Sequence, residues 1–214
     1  MELTELEQAT VKNMREAVEK WISLASHDEK LEAVLWYAKA HAVAVELSTQ
    51  YGITVDQASA VLSVLSPGND WTSNQRDAFS VCRAWKAGTY DATVTAYGKQ
   101  VGKAYRILND CKELHGDELN EYVGTKNARK TIAFYHNILN PKESQAVTID
   151  RWILRALGLP VNRTNEQLYK LGTLAITQIA AEHRCQPHKV QALVWVCIRN
   201  RGGLPQTAFD LPGF

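Results

Sequence analysis

The sequence predicts an all-α protein. Apolar residues return at helical spacing along most of the 214-residue chain. Segment after segment opens on a Ser/Thr-x-x-Glu/Gln pair or a proline and closes on glycine, the punctuation of helix ends. No segment is rich in strand signals, no repeat period is present, and neither the Rossmann nor the P-loop glycine pattern occurs.

The elements follow in order. Ser26 and Glu29 form a capping box, and Leu31, Val34, Leu35, Ala38, Ala42 and Val45 then recur at helical spacing until Gly52 supplies the stop. Thr54 with Gln57 opens the next helix, which carries Ala58, Val61, Leu62 and Leu65 up to the polar break "SPGND". "WTSNQRDAFSVCRAWKAG" resumes the spacing and ends at Gly88. "TYDATVTAYGKQVGKAYRILND" reads as a short helix and then a longer one, although Thr and Val leave its first half open between helix and strand. From "HGDELNEYV" through "ARKTIAFYHNIL" the pattern is helix, short turn, helix. "VTIDRWILRALG" is a further helix with an extended apolar lead-in, closed by Pro160. A Thr164/Gln167 capping box opens the penultimate helix, and Pro187 opens the last, which ends at Gly202 and Gly203. About eight to ten helices result.

A chain of this length buries an ordinary core without staples, and with 45% hydrophobic and 22% charged residues it has a globular composition. The net charge of +1 neither announces nor excludes a polyanionic partner, so the distribution of charge decides. Between Glu121 and Arg155 the cations Lys126, Arg129, Lys130, Lys142, Arg151 and Arg155 outnumber Glu121, Glu143 and Asp150, for a local charge of +3. Cys82, Cys111, Cys185 and Cys197 are far apart and make no metal-ligand spacing, so no metal is expected. No membrane span or signal peptide is legible, and reduced thiols fit a cytoplasmic protein.

One stretch carries chemistry. In "YVGTKNARKTIAFYHNILNPKESQAVTIDRWILRA" a glycine turn sits between two helical segments, beside Lys126, Arg129 and Lys130. Backbone N–H groups at the start of a helix favour anions, so Gly124, Thr125, Lys126 and Arg129 are candidates for gripping DNA phosphate, with Arg151 further along. Asp150 stands in an apolar strip directly before a helix. A carboxylate there is either a cap or a reacting group.

"VGTKNARKTIAFYHNIL" followed by "VTIDRWILRAL" resembles the hairpin and catalytic-aspartate segment of the helix-hairpin-helix DNA glycosylase superfamily, including glycosylase-like proteins of phages. The likeness is clearest over Leu119 to Leu157, with an echo in "VLSVLSPGNDWTSNQRDA". The family's hairpin reads apolar-Pro-Gly-apolar-Gly, whereas "YVGTKNAR" has one glycine and no proline. Asp150 lies 20 residues after Lys130 and 24 after Lys126. In the family the aspartate falls at about the first of these distances from the hairpin lysine.

The resemblance implies a two-lobed all-α glycosylase-like fold, one lobe from 1–50 with 160–214 and the other from 51–159, with the hairpin and catalytic loop inside 117–157. It implies cleavage of the N-glycosidic bond of a modified or unusual base in double-stranded DNA, as in base excision, without a cofactor and by a monomer. Asp150 would be the essential acid and Lys130 the possible nucleophile, Lys126 becoming a phosphate contact. A base flipped from the duplex needs a pocket and a wedge. "SPGNDW" offers Asn69, Asp70 and Trp71, with Asn74 a turn later, while Tyr135 and Asn137 are second-rank. Two rivals stand beside it: an enzyme of phage thymine hypermodification on the same fold, and a non-catalytic DNA-binding module that retains only the hairpin.

Overall fold

A computed structural model of the chain describes residues 3–125, 128–159 and 166–202. It is all-α: 74% of the residues are helical, and no strand occurs among those described. Two compact units form, a terminal unit of Met1–Trp36 with Gln145–Phe214 and a central unit of Tyr37–Ser144. The chain therefore changes unit at 36/37 and at 144/145 rather than near 50 and 159, which puts Asp150 in the terminal unit and Gly124 with Arg129 and Lys130 in the central one.

The described helices are α1 (Glu5–Leu24), α2 (His27–Tyr51), α3 (Val55–Leu65), α4 (Trp71–Ala87), α5 (Gly98–Asp110), α6 (Asn120–Val123), α7 (Arg129–Leu139), α8 (Arg151–Ala156), α9 (Glu166–Glu182) and α10 (Pro187–Asn200), with one 3-10 turn at Gly116–Leu119. Both capping boxes read from the described sequence are present. Ser26 N donates to Glu29 Oε2 at 2.9 Å and Glu29 N to Ser26 Oγ at 3.2 Å, and Thr54 and Gln57 exchange the same pair of bonds. Gly52 and Gly88 end α2 and α4 at φ 71° and 72°. Pro160 and Thr164 lie outside the described residues.

One expected helix does not form. Residues 89–97 are irregular, and only the second half of that stretch is helical, as α5. Side chains supply the bonds a helix would have made: Asp77 Oδ2 accepts from Thr95 N at 3.0 Å and Ala96 N at 2.9 Å, and Tyr105 Oη accepts from Ala92 N at 3.3 Å.

In α2 the repeat Leu31, Leu35, Ala38, Ala42, Val45 is solvent-exposed, while Ala33, Tyr37, Ala40, Ala44, Leu47 and Tyr51 form the buried face. Two residues along a helix is a rotation of about 200°. The helix is thus apolar on opposite sides, and the fold covers the side built from alanine and tyrosine.

In the central unit α3 is enclosed: every residue from Gln57 to Leu65 is buried, and α4, α5 and α7 pack around it. Gln57 donates from Nε2 to the carbonyls of Ile107 and Leu108 at 3.0 and 3.1 Å, so its polar end is satisfied at the end of α5. The terminal unit has its own core, in which Met14, Val18 and Trp21 of α1 meet Ile176 and Ile179 of α9 and Val190, Val194 and Cys197 of α10.

An ion-pair clamp ties the end of α10 to the start of α2 in that unit. Arg201 donates to Glu29 Oε1 at 2.6 Å and Oε2 at 3.1 Å, and also to the carbonyls of Cys197 and Leu24. The guanidinium's hydrogen bonds, helped by Ser26 N–H and Asn200 and opposed by burial, bring the Glu29 carboxyl down to about 2 from 4.5. A depressed carboxyl stabilises the fold above its unfolded pKa and loses that contribution as pH falls toward the folded one. The clamp should therefore contribute on the order of 2–3 kcal/mol at neutral pH, lost between about pH 4.5 and 2. Melting curves across that range should show the step in the wild type and lack it in Arg201→Met, which starts from a lower melting temperature at pH 7.

Candidate active site

Asp150 is reached through a buried, extended strip, Val147, Thr148 and Ile149. Tyr169 Oη donates to Val147 O at 3.0 Å and fixes the strip to α9. Gly172 of α9 permits the close approach, because a Cβ there would stand 3.0 Å from Leu157 Cδ1 and 3.1 Å from Ile149 Cδ1. These contacts tie the strip to α9, and Asp150 follows it at the edge of the terminal core.

The half-buried Asp150 side chain caps α8. Its Oδ1 accepts both from Trp152 N at 2.9 Å and from Ile153 N at 3.0 Å. Oδ2 has no hydrogen bond among the described residues. One oxygen is therefore anchored to the start of α8. Beside it Arg151 is exposed, and the Arg151 and Arg155 guanidinium carbons lie 5.9 and 4.7 Å from the Trp152 ring centroid.

In the central unit α6, a single helical turn, leads into Gly124 and Thr125, and α7 begins after Ala128. Gly124 is buried, and a Cβ on it would lie 2.3 Å from Ala128 Cβ, so the turn closes only around glycine. Thr125 is exposed, and its carbonyl accepts from Ala128 N at 2.7 Å. Lys126 lies outside the described residues. α7 starts from Ala128 with no side-chain cap and no acid in its first turn; Arg129 and Lys130, both half-buried, occupy that turn instead. Cations at a helix N-terminus oppose the macrodipole, and the combination favours an anion.

The candidate pocket residues divide. Asn74, Tyr135 and Asn137 are buried in the central unit and serve its scaffold: Asn74 Nδ2 donates to Leu62 O at 3.0 Å, Tyr135 Oη to Gly116 O at 3.0 Å, and Asn137 Oδ1 accepts from Ser144 Oγ at 2.6 Å. Asn69 is half-buried, with its amide bound to Leu65 O, Asp77 and Thr95. Asp70 is exposed and caps α4, and the hydrogen bond from Ser73 N–H holds its carboxyl below the usual range. Trp71 is half-buried, edge-on to Phe134 with centroids 6.4 Å apart. Asn69, Asp70 and Trp71 are the members of the set that reach the surface at the loop, Asp70 the most exposed and Asn69 with its amide already bound.

A second group of cations escaped the sequence reading. On α5, Lys99, Lys103 and Arg106 recur at intervals of four and three residues, which sets them on one helix face. Lys103 Nζ donates to Val123 O at 3.4 Å, beside the glycine turn, and the Arg106 guanidinium lies 5.6 Å from the Tyr122 ring centroid. The spacing alone would have revealed the stripe, but its proximity to Val123 and Gly124 is a tertiary fact.

The thiols are poor nucleophiles, since burial pushes Cys82 up to about 12 and Cys111 and Cys197 to about 11. Among the described residues no group of three His, Cys, Asp or Glu is placed to hold a metal ion, and no helix is long and apolar enough to cross a membrane.

Fold and site define an all-helical protein of two units, one with a half-anchored carboxylate at a helix start and the other with a cationic glycine turn. The chain belongs to a family of unknown function, DUF7178, whose model matches residues 1–202. No curated protein and no solved structure matches it.

Proposed function

We propose that the protein cleaves the N-glycosidic bond of a modified or unusual base in double-stranded DNA, on a two-lobed helix-hairpin-helix glycosylase-like scaffold. The observation that carries this reading is the division of labour in the Asp150 carboxylate, with Oδ1 bound to two backbone N–H groups and Oδ2 without a hydrogen bond among the described residues. Loss of the base builds positive charge on the sugar; a fixed carboxylate stabilises that charge and accepts the proton of an attacking water. Hydrolysis leaves an abasic site. Attack by the neutral amine of Lys130 instead gives a Schiff base and opens the lyase route.

Binding falls to the cations. The uncapped start of α7 with Arg129 and Lys130, the adjoining α5 stripe and the Arg151–Trp152–Arg155 stack suit phosphate and base contacts. Asp70 and Trp71 remain the candidates for the wedge beside a flipped base. Reversing the α5 stripe, Lys99→Glu with Lys103→Glu and Arg106→Glu, should weaken DNA binding at least tenfold and flatten its salt dependence. Fluorescence anisotropy at several salt concentrations measures both.

To test the reading, DNA from unmodified and hypermodified phages is incubated with the protein and then treated with hot alkali. Strand breaks support the glycosylase. An altered base mass with intact strands replaces it with a base-modification activity on the same scaffold, and binding with no change in the DNA leaves a hairpin module. Borohydride trapping then tests the lysine: an adduct lost in Lys130→Ala and kept in Lys126→Ala supports the Lys130 route, and its retention in Lys130→Ala rejects it.

A further inference from the structure

Among the described residues, four of the eight exposed large hydrophobics lie on the outer face of α2, which the DNA reading leaves unused. Leu31, Val34, Leu35 and Val45 are 54%, 54%, 39% and 40% exposed, and Ala38 and Ala42 between them are exposed as well. A helix that is apolar on opposite sides is a helix made to be covered on both. Positions 31, 35, 38, 42 and 45 alternate by four and three residues, the a/d spacing of a two-helix seam.

We propose that this face is the interface between two copies of the chain, packed antiparallel through α2, in place of the monomer expected from the sequence. Charge selects the register. If Leu31 faces Ala42 and Leu35 faces Ala38 of the second copy, each leucine fills the space over an alanine. Glu32 then lies beside Lys39 of the second copy, twice by symmetry. Shifting the helices by one heptad, so that Leu35 meets Val45, brings Glu32 against Glu46 and Lys39 against itself, which is repulsive. Lys39 is exposed, and Glu32 uses only Oε1 for Arg199, at 2.6 Å, leaving Oε2 for the lysine. A helix pair of this length sits at the lower end of stable interfaces, near about 1,000 Å² in total. The dimer should therefore be reversible, with dissociation in the micromolar range.

Sedimentation velocity on the full chain, from about 1 to about 300 µM, should show the sedimentation coefficient rising with concentration. Leu35→Glu and Lys39→Glu each alter an exposed side chain, so circular dichroism should remain that of the wild type while association weakens at least tenfold. A Leu31→Cys/Ala42→Cys chain oxidised with diamide should yield a covalent dimer, because residues 11 apart on one helix cannot join each other. A wild type that stays monomeric throughout overturns the proposal, as does association that survives Leu35→Glu. Association without the cross-link overturns the register.

Discussion

Asp150→Asn is expected to abolish base release while leaving the protein as stable as the wild type. Asparagine caps a helix as well as aspartate does. Its side-chain oxygen can accept from Trp152 N and Ile153 N as Oδ1 does now, at 2.9 and 3.0 Å. What disappears is the negative charge and the proton-accepting oxygen. If that charge stabilises the sugar cation and helps the water, the rate should fall by about 10²–10⁴, the range for a positioned acid–base group. If Asp150 is only a cap, the rate should not move. Asp150→Ala completes the comparison: it removes the cap too and should cost about 1 kcal/mol of stability. Alkali-labile breaks in modified DNA measure the first quantity and thermal melting the second. A variant Asp150→Asn that releases base at the wild-type rate would remove the carboxylate from the chemistry.

Much of this was legible because it is local. A capping box, a glycine stop or an apolar strip before an acid concerns residues within a turn of each other, where sequence spacing and geometry are nearly the same thing. Asp150 as the residue that starts α8 belongs to this class. The failures are tertiary. In α2 both sides carry helical apolar spacing, and the leucine and valine side looked the stronger; the fold buries Ala33, Tyr37, Ala40, Ala44 and Leu47 instead. Small residues let a helix come close, and which surface it meets is not written in its own periodicity. Residues 89–97 failed for a related reason, since their backbone partners are the side chains of Asp77 and Tyr105, remote in sequence. The α5 stripe near the glycine turn and the burial of Tyr135 and Asn137 are likewise set by packing around α3.

Asp77 should prove the most sensitive stability position in the central unit. It is fully buried on α4, and its Oδ2 accepts from Asn69 Nδ2 at 2.9 Å, Thr95 N at 3.0 Å, Thr95 Oγ1 at 2.7 Å and Ala96 N at 2.9 Å. One oxygen thus joins the loop before α4 to the irregular segment before α5. Burial alone would raise the carboxyl; the hydrogen bonds from Thr95, Asn69 and Ala96 together outweigh it and hold it below its ordinary value. A depressed carboxyl stabilises above the unfolded pKa, about 3.9, and that contribution is lost as pH falls below it. Asp77→Ala removes the acceptor and turns its half-buried and exposed donors back to water, a change of about 1.5–3 kcal/mol. Against a total of about 5–15 kcal/mol, that is a large share of the stability of a domain. Asp77→Asn keeps one acceptor without the charge and should fall between, so the melting temperatures should rank wild type, Asp77→Asn, Asp77→Ala. Amide exchange should quicken first at Thr95 and Ala96, the N–H groups released. An Asp77→Ala chain that melts with the wild type, those amides still protected, would mean that the segment is held by something other than this carboxylate.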